Sequence, residues 1–156
     1  MEKVGIGVDV GGTSVKLGLF QPDGTILKKW EFPTDTSENG THILPDIAES
    51  IRKTMEETFQ GKAELIGVGI GVPGPVQPTG YVEVGVNLHW REMYPARELS
   101  EMLGGVRVEV GNDANVAALG EAWRGGGEGA ANAVLLTLGT GVGGGVIMNG
   151  EIVTGK

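Results

Sequence analysis

Asp9, Gly11, Gly12, Thr13 and Lys16 fall within one short stretch and bring together the groups that phosphate chemistry needs. Backbone N–H groups at a glycine turn, a hydroxyl and a lysine ammonium suit phosphate oxygens. A carboxylate suits magnesium, here with Asp9 reaching the ion through water. The neighbouring residues say how these groups are presented. Val4, Ile6, Val8 and Val10 alternate with Gly5, Gly7 and Asp9, which is the period of a β-strand with one apolar face. Val15, Leu17 and Leu19 resume the alternation after Gly11-Gly12, a turn expected to use the positive φ open to glycine. The result is a hairpin with glycines at its tip. The same residues also describe an ordinary hairpin with a Gly-Gly turn.

The pattern recurs. Ala133 to Met148 again reads strand, Gly/Thr turn, strand, with Thr137 where Asp9 stood and Gly139 where Gly11 stood. Two phosphate-type hairpins suggest a duplicated unit with nucleotide between the copies. Gly139 to Gly144 also satisfies G-x-G-x-x-G, but that fingerprint requires a helix next. Val146 to Val153 follows instead, with Asn149-Gly150 as a hairpin signal, so the dinucleotide reading fails on context.

A third constellation is Gly111-Asn112-Asp113-Ala114-Asn115, where a Val106/Val108/Val110 strand gives way to a helix. A carboxylate at such a junction can take the proton of a sugar hydroxyl and orient the attacking oxygen. Asn112 could fix a neighbouring hydroxyl. Either residue could equally be a helix N-cap. Asn87, with donors and an acceptor on one amide, suits a sugar hydroxyl or a local turn. Pro73-Gly74-Pro75 ends the Leu65–Val72 strand as a stiff loop, placed where open α/β sheets bind ligands, or is a structural turn. Trp90 reads as a sugar-stacking ring or as core; nothing nearby orients His89 as a base.

The remaining elements are positional. Ile26 to Phe32 reads as a third strand and Pro33 to Gly40 as a polar loop. Ile43, Ile47, Ile51, Met55 and Phe59 predict an amphipathic helix, with Pro45 in its first turn. Ala96 to Leu103 predicts a short helix with Leu99, Met102 and Leu103 inward and Gly104 as its cap. Past Asp113, the helical face is expected to be Val116, Leu119, Gly120 and Trp123.

Asp9 to Lys16, Gly111 to Glu121 and Leu138 to Gly145, in this order, resemble the ROK family of bacterial sugar kinases and repressors. Pro73-Gly74-Pro75 and Asn87-Leu88-His89-Trp90 lean towards its glucokinases. The resemblance implies an α/β, actin-like (ribonuclease H-like) ATPase fold, with residues 1–112 as a first lobe and 113–156 as the start of a second. It implies ATP with Mg2+, and a hexose such as glucose phosphorylated to glucose 6-phosphate. Asp9, Gly11, Gly12, Thr13 and Lys16 would hold phosphate in the first hairpin, and Thr137, Gly139, Thr140 and Gly141 in the second. Gly74, Asn87, Asn112 and Asp113 would face the sugar, with Asp113 the general base. Fructose and N-acetylhexosamine kinases, and non-catalytic sugar-sensing members, share these motifs. Such kinases normally continue for a comparable length and carry a Cys/His zinc site; this chain has no cysteine, so the thiolate ligands are not in it. Strands from Val134 to Val153 without further partners are expected to make the chain self-associate, as a homo-oligomer, or be poorly stable.

Composition narrows the classes further. The 156 residues carry 12 Lys and Arg against 20 Asp and Glu, a net charge of −8, which disfavours binding a nucleic-acid backbone. Hydrophobic residues make up 40% of the chain, enough for a core, and no signal peptide or membrane span is apparent, so a cytoplasmic protein is expected. The 29 glycines lie in strands and turns rather than in a linker, which points to close backbone approaches.

Overall fold

The computed structural model describes residues 1–138 and 142–154. Two compact units make up the chain, Met1–Gly111 and Asn112–Lys156.

The first unit is built on a five-stranded mixed sheet in the order β3-β2-β1-β4-β7. β1 (Glu2–Val10), β2 (Ser14–Phe20) and β3 (Ile26–Pro33) form the antiparallel meander that their alternation anticipates, with Gly24 at φ 93° in the turn between β2 and β3. β4 (Ala63–Val72) lies parallel to β1, so Val10 and Val72 end at the same edge of the sheet. β7 (Val108–Asn112) flanks β4. The register between β1 and β4 shifts at Val4/Gly5, where Ile66 is the extra residue.

One face of the sheet is covered. Val4, Ile6, Val8 and Val10 share a core with Val15, Leu17 and Leu19, with Val68, Ile70 and Val72, and with helix α2 (Ile43–Phe59). α2 buries Ile43, Leu44, Ile47, Ala48 and Ile51, the stripe that its four-residue spacing dictates. Trp30 Nε1 donates to Ser50 Oγ at 2.9 Å and ties β3 to this helix. α3 (Pro95–Met102) starts on a proline and buries Leu99; it ends before Gly104 and Gly105, both at positive φ. Met102 does not turn inward as expected. It is exposed, because the closing turn directs its carbonyl to Arg52 of α2 at 2.8 Å while Leu103 takes the packed position.

The segment after β3 is more ordered than a polar loop. It contains a single turn, α1 (Ser37–Gly40), in which Glu38 and Asn39 adopt left-handed backbone angles. Gly40 is buried, and a side chain there would collide with the Leu88 carbonyl and stand 2.7 Å from the Trp90 ring. Trp90 Nε1 donates to Gly40 O at 3.0 Å, so Trp90 is core, satisfied at its polar end. It begins β6 (Trp90–Met93), which pairs with β5 (Val82–Gly85) across the 3-10 turn Val86–Leu88.

The second unit is a helix on a three-stranded sheet, ordered β10-β9-β8. Helix α4 (Asp113–Arg124) packs against β9 (Val142–Met148) and β8 (Ala133–Leu138). β10 (Glu151–Ile152) follows a two-residue turn with Asn149 at φ 53° and Gly150 at φ 77°, which is what Asn-Gly favours. The face by which α4 docks differs from the expectation. Ala114 and Ala118 are buried, whereas Val116, Leu119 and Trp123 are exposed. The reason is close approach: a Cβ on Gly145 would stand 2.6 Å from Ala118 Cβ and 3.0 Å from Ala114 O. Two alanines against a glycine let the helix backbone approach the strand, and the larger apolar residues face away. The other face of the sheet exposes Val134, Leu136 and Leu138, the last at 83%. Among the described residues, no helix is long and apolar enough to cross a membrane.

Candidate functional site

The first hairpin puts its chemistry at the sheet edge where β1 and β4 both end. Asp9 lies directly opposite Lys16, and Lys16 directly opposite Glu31, so a carboxylate, an ammonium and a carboxylate run across three strands in register. All three are exposed. Opposite charges at paired positions of an antiparallel ladder attract.

Neither Gly11 nor Gly12 uses positive φ, contrary to expectation. Their absent side chains matter for space. A Cβ on Gly11 would lie 2.9 Å from Ser14 O, and one on Gly12 would lie 3.1 Å from Asn87 O and 3.3 Å from Asn87 Cβ. The turn closes through Gly11 N–H donating to Ser14 O at 3.0 Å. Gly12 and Thr13 are exposed at its tip.

The contact between Gly12 and Asn87 brings the phosphate turn to the first of the sugar candidates. Asn87 is exposed within the 3-10 turn, between buried Gly85 and Leu88, which pin that turn to the core. Gly74 sits just beyond β4 at φ 105°, a conformation other residues rarely adopt, and a Cβ on it would meet Val84 O of β5 at 3.6 Å. Gly74 thus lies beside β5, and Asn87 lies in the turn that follows β5. His89 is exposed at φ 60°. Among the described residues no group of three His, Asp or Glu side chains comes together as a metal site. Asp9 therefore belongs to no three-ligand cluster among the described residues. It fits magnesium held mainly by water and phosphate, and does not fit an all-protein cage.

In the second unit the cap and the candidate base are separate residues. Asn112, in extended backbone at ψ 139°, is the N-cap of α4: its Oδ1 accepts from Ala114 N at 3.1 Å and Asn115 N at 3.4 Å. Asp113 is the first helical residue, exposed, with Oδ1 accepting from Ala114 N at 2.8 Å. Thr137 lies on the α4 side of β8, opposite Gly143, where the missing side chain leaves room for its hydroxyl. Gly139, Thr140 and Gly141 lie outside the described residues.

Thr34 escaped the sequence, and so did the partner of Trp90, which reads there as either core or a sugar-stacking ring. Thr34 donates its hydroxyl to Gly11 O and its amide to Thr13 O. Trp90 anchors the Gly40 turn. Both bonds span more than twenty positions, which no local pattern records.

The model of the ROK family matches residues 5–156. The chain is 44% identical over 151 residues to the glucokinase of Halalkalibacterium halodurans, covering 96% of this chain and 46% of that protein. It is 42% identical to the glucokinase of Thermotoga maritima, covering 97% and 46%. Among solved structures, the ROK family glucokinase of Streptomyces griseus, in complex with glucose and AMPPNP, superposes with a TM-score of 0.80 at 32% identity, covering 98% of this chain and 47% of that one. The chain therefore spans about half the length of the relatives it matches. Its mixed α/β architecture is that of the actin-like ATPases to which these kinases belong. The chain belongs to the ROK family.

Proposed function

We propose that this chain is the part of an ATP-dependent hexose kinase that holds nucleotide phosphate and sugar, with glucose converted to glucose 6-phosphate. The observation that carries the reading is the contact of Gly12 with Asn87. A turn suited to phosphate and an amide suited to a hydroxyl are neighbours within one unit, as transfer from nucleotide to sugar requires. The glucokinase names of the relatives supply the reaction class, and the AMPPNP of the S. griseus complex supplies the donor.

The roles follow from the residues. Gly11, Gly12 and Thr13 would receive phosphate oxygens at the first turn, and Lys16 would offset their charge. Asp9 would hold Mg2+ through water; the ion, when bound, neutralises charge on the phosphates. Thr137, Gly139, Thr140 and Gly141 would serve phosphate in the second hairpin. Gly74, Asn87 and Asn112 would bind sugar. Asp113 would take the proton of the attacking hydroxyl as its oxygen bonds the γ-phosphorus and the bond to the β-phosphate oxygen breaks, releasing ADP. Asp113 suits that role because its carboxylate is exposed at the first residue of α4, beside the Asn112 cap. We also propose that the exposed apolar faces of the second unit bind a further copy of the chain.

The test is hexose-dependent ADP release by this chain mixed with the C-terminal half of the H. halodurans glucokinase, assayed with glucose, fructose, mannose and N-acetylhexosamines. The strongest response is expected with glucose. A strongest response to fructose or an N-acetylhexosamine would replace glucose as substrate. ADP release indifferent to every sugar would refute the kinase reading in favour of a sugar-sensing one.

A further inference from the structure

The Gly11–Gly12 turn is held from two sides, and one of the holders has no role so far. Thr34 follows β3 and is half-buried. Its Oγ1 donates to Gly11 O at 2.7 Å, and its backbone N–H donates to Thr13 O at 2.9 Å. One residue therefore grips the carbonyls on both sides of Gly12. A trans peptide aims its C=O and its N–H in opposite directions. With the Gly11 carbonyl drawn to Thr34, the Gly12 N–H points away from Thr34. The same argument turns the Ser14 N–H away once the Thr13 carbonyl is held. On the other side, Asn87 O lies 3.1 Å from where a Gly12 Cβ would stand, so the turn has little room to rotate. Glycine peptides are otherwise the freest in the chain, and an unclamped Gly-Gly tip would sample many orientations before binding.

We propose that Thr34 is a positioning residue for phosphate, its hydroxyl fixing the Gly11–Gly12 peptide so that the Gly12 amide is presented to a phosphate oxygen. The proposal rests on the phosphate reading of the hairpin. It also assigns a purpose to the order of the segment after β3: that segment carries the clamp to the hairpin tip.

The experiment is an NMR titration of the 15N-labelled chain with MgATP and, separately, with inorganic triphosphate, following the Gly12 and Thr13 amides. Thr34→Val removes the hydroxyl and keeps the amide and the shape; Thr34→Ser keeps the hydroxyl. Loss of one clamping hydrogen bond is expected to weaken both ligands about five- to tenfold in Thr34→Val, with Thr34→Ser close to the parent chain. A purely structural role would lower stability and leave the affinity of the folded chain unchanged. If Thr34→Val does not fold, Thr34→Ala takes its place. Equal affinity in Thr34→Val and the parent would overturn the proposal while leaving the hairpin reading intact, as would a Thr34→Ser as weak as Thr34→Val. A parent chain whose Gly12 and Thr13 amides respond to neither ligand would overturn the hairpin reading, and the proposal with it.

Discussion

Substituting Gly145 tests whether α4 is seated by backbone approach. A methyl group at this position would stand 2.6 Å from Ala118 Cβ and 3.0 Å from Ala114 O. Carbon atoms settle at about 3.5–4.0 Å, so the helix must lift by roughly 1 Å along its contact with β9. Neither neighbour can yield by rotating, because one is a methyl on the helix and the other is helix backbone. Overpacking of this kind costs about 1–3 kcal/mol, and replacing a strand glycine with alanine returns about 0.5–1 kcal/mol. A net loss of about 1–2 kcal/mol is expected in Gly145→Ala. Gly144 is the control: it sits on the opposite face, and its added Cβ would meet Leu135 O at 3.4 Å and Leu136 Cδ2 at 3.6 Å, close to ordinary contact. Hydrogen exchange of the α4 amides reads the difference directly, and that loss accelerates exchange through opening of the unit about 5–30-fold. Unchanged exchange in Gly145→Ala, or equal acceleration in Gly144→Ala, would refute the small-residue docking of α4.

Trp90→Phe leaves the Gly40 carbonyl without its indole partner in a buried site; a destabilisation of about 1–3 kcal/mol is expected in urea unfolding, and a variant as stable as the parent would contradict the anchoring role. The hydrogen bond to Glu38 raises the His42 pKa above its ordinary 6.5. The raised value means that the stability this pair contributes is fully present below pH 6.5 and is lost as pH rises through the folded value. NMR titration of His42 should therefore show a raised midpoint that falls in Glu38→Gln, and a midpoint indifferent to that change would rule the contact out. The exposed Val134, Leu136 and Leu138 face should drive association in sedimentation, with Leu136→Glu shifting the chain towards monomer; a parent chain that is monomeric would contradict the docking of a second copy.

Periodicity carried the first unit because its signals are local. The alternation of Val4, Ile6, Val8 and Val10 states which face is buried, and the four-residue repeat from Ile43 to Phe59 states which stripe covers it. The same reasoning misplaced α4. Val116, Leu119 and Trp123 look like a core face by size, but the strand opposite is glycine-rich and selects the small residues Ala114 and Ala118. The pairing partner of a helix decides its face, and that partner lies about thirty residues on. At the candidate site, the residue types at the first turn and the Asn112-Asp113 junction were legible. The division of labour there was not, since only the geometry shows that Asn112 caps the helix. The glycines of the turn were legible as glycines for the wrong reason: the structure needs their missing side chains beside Ser14 and Asn87, not a positive φ. Thr34 was invisible, because a threonine after a strand has no signature until the hairpin folds beside it.

We propose Asp113 as the base that removes the proton of the attacking sugar hydroxyl. Its most direct test is Asp113→Asn in this chain, assayed for glucose-dependent ADP release with the complementing half of the H. halodurans glucokinase. The substitution keeps the shape and removes the base. Turnover lower by about 10²-fold or more is expected, the usual contribution of a positioned base, with glucose affinity little changed. Turnover equal to that of the parent chain would contradict the proposal.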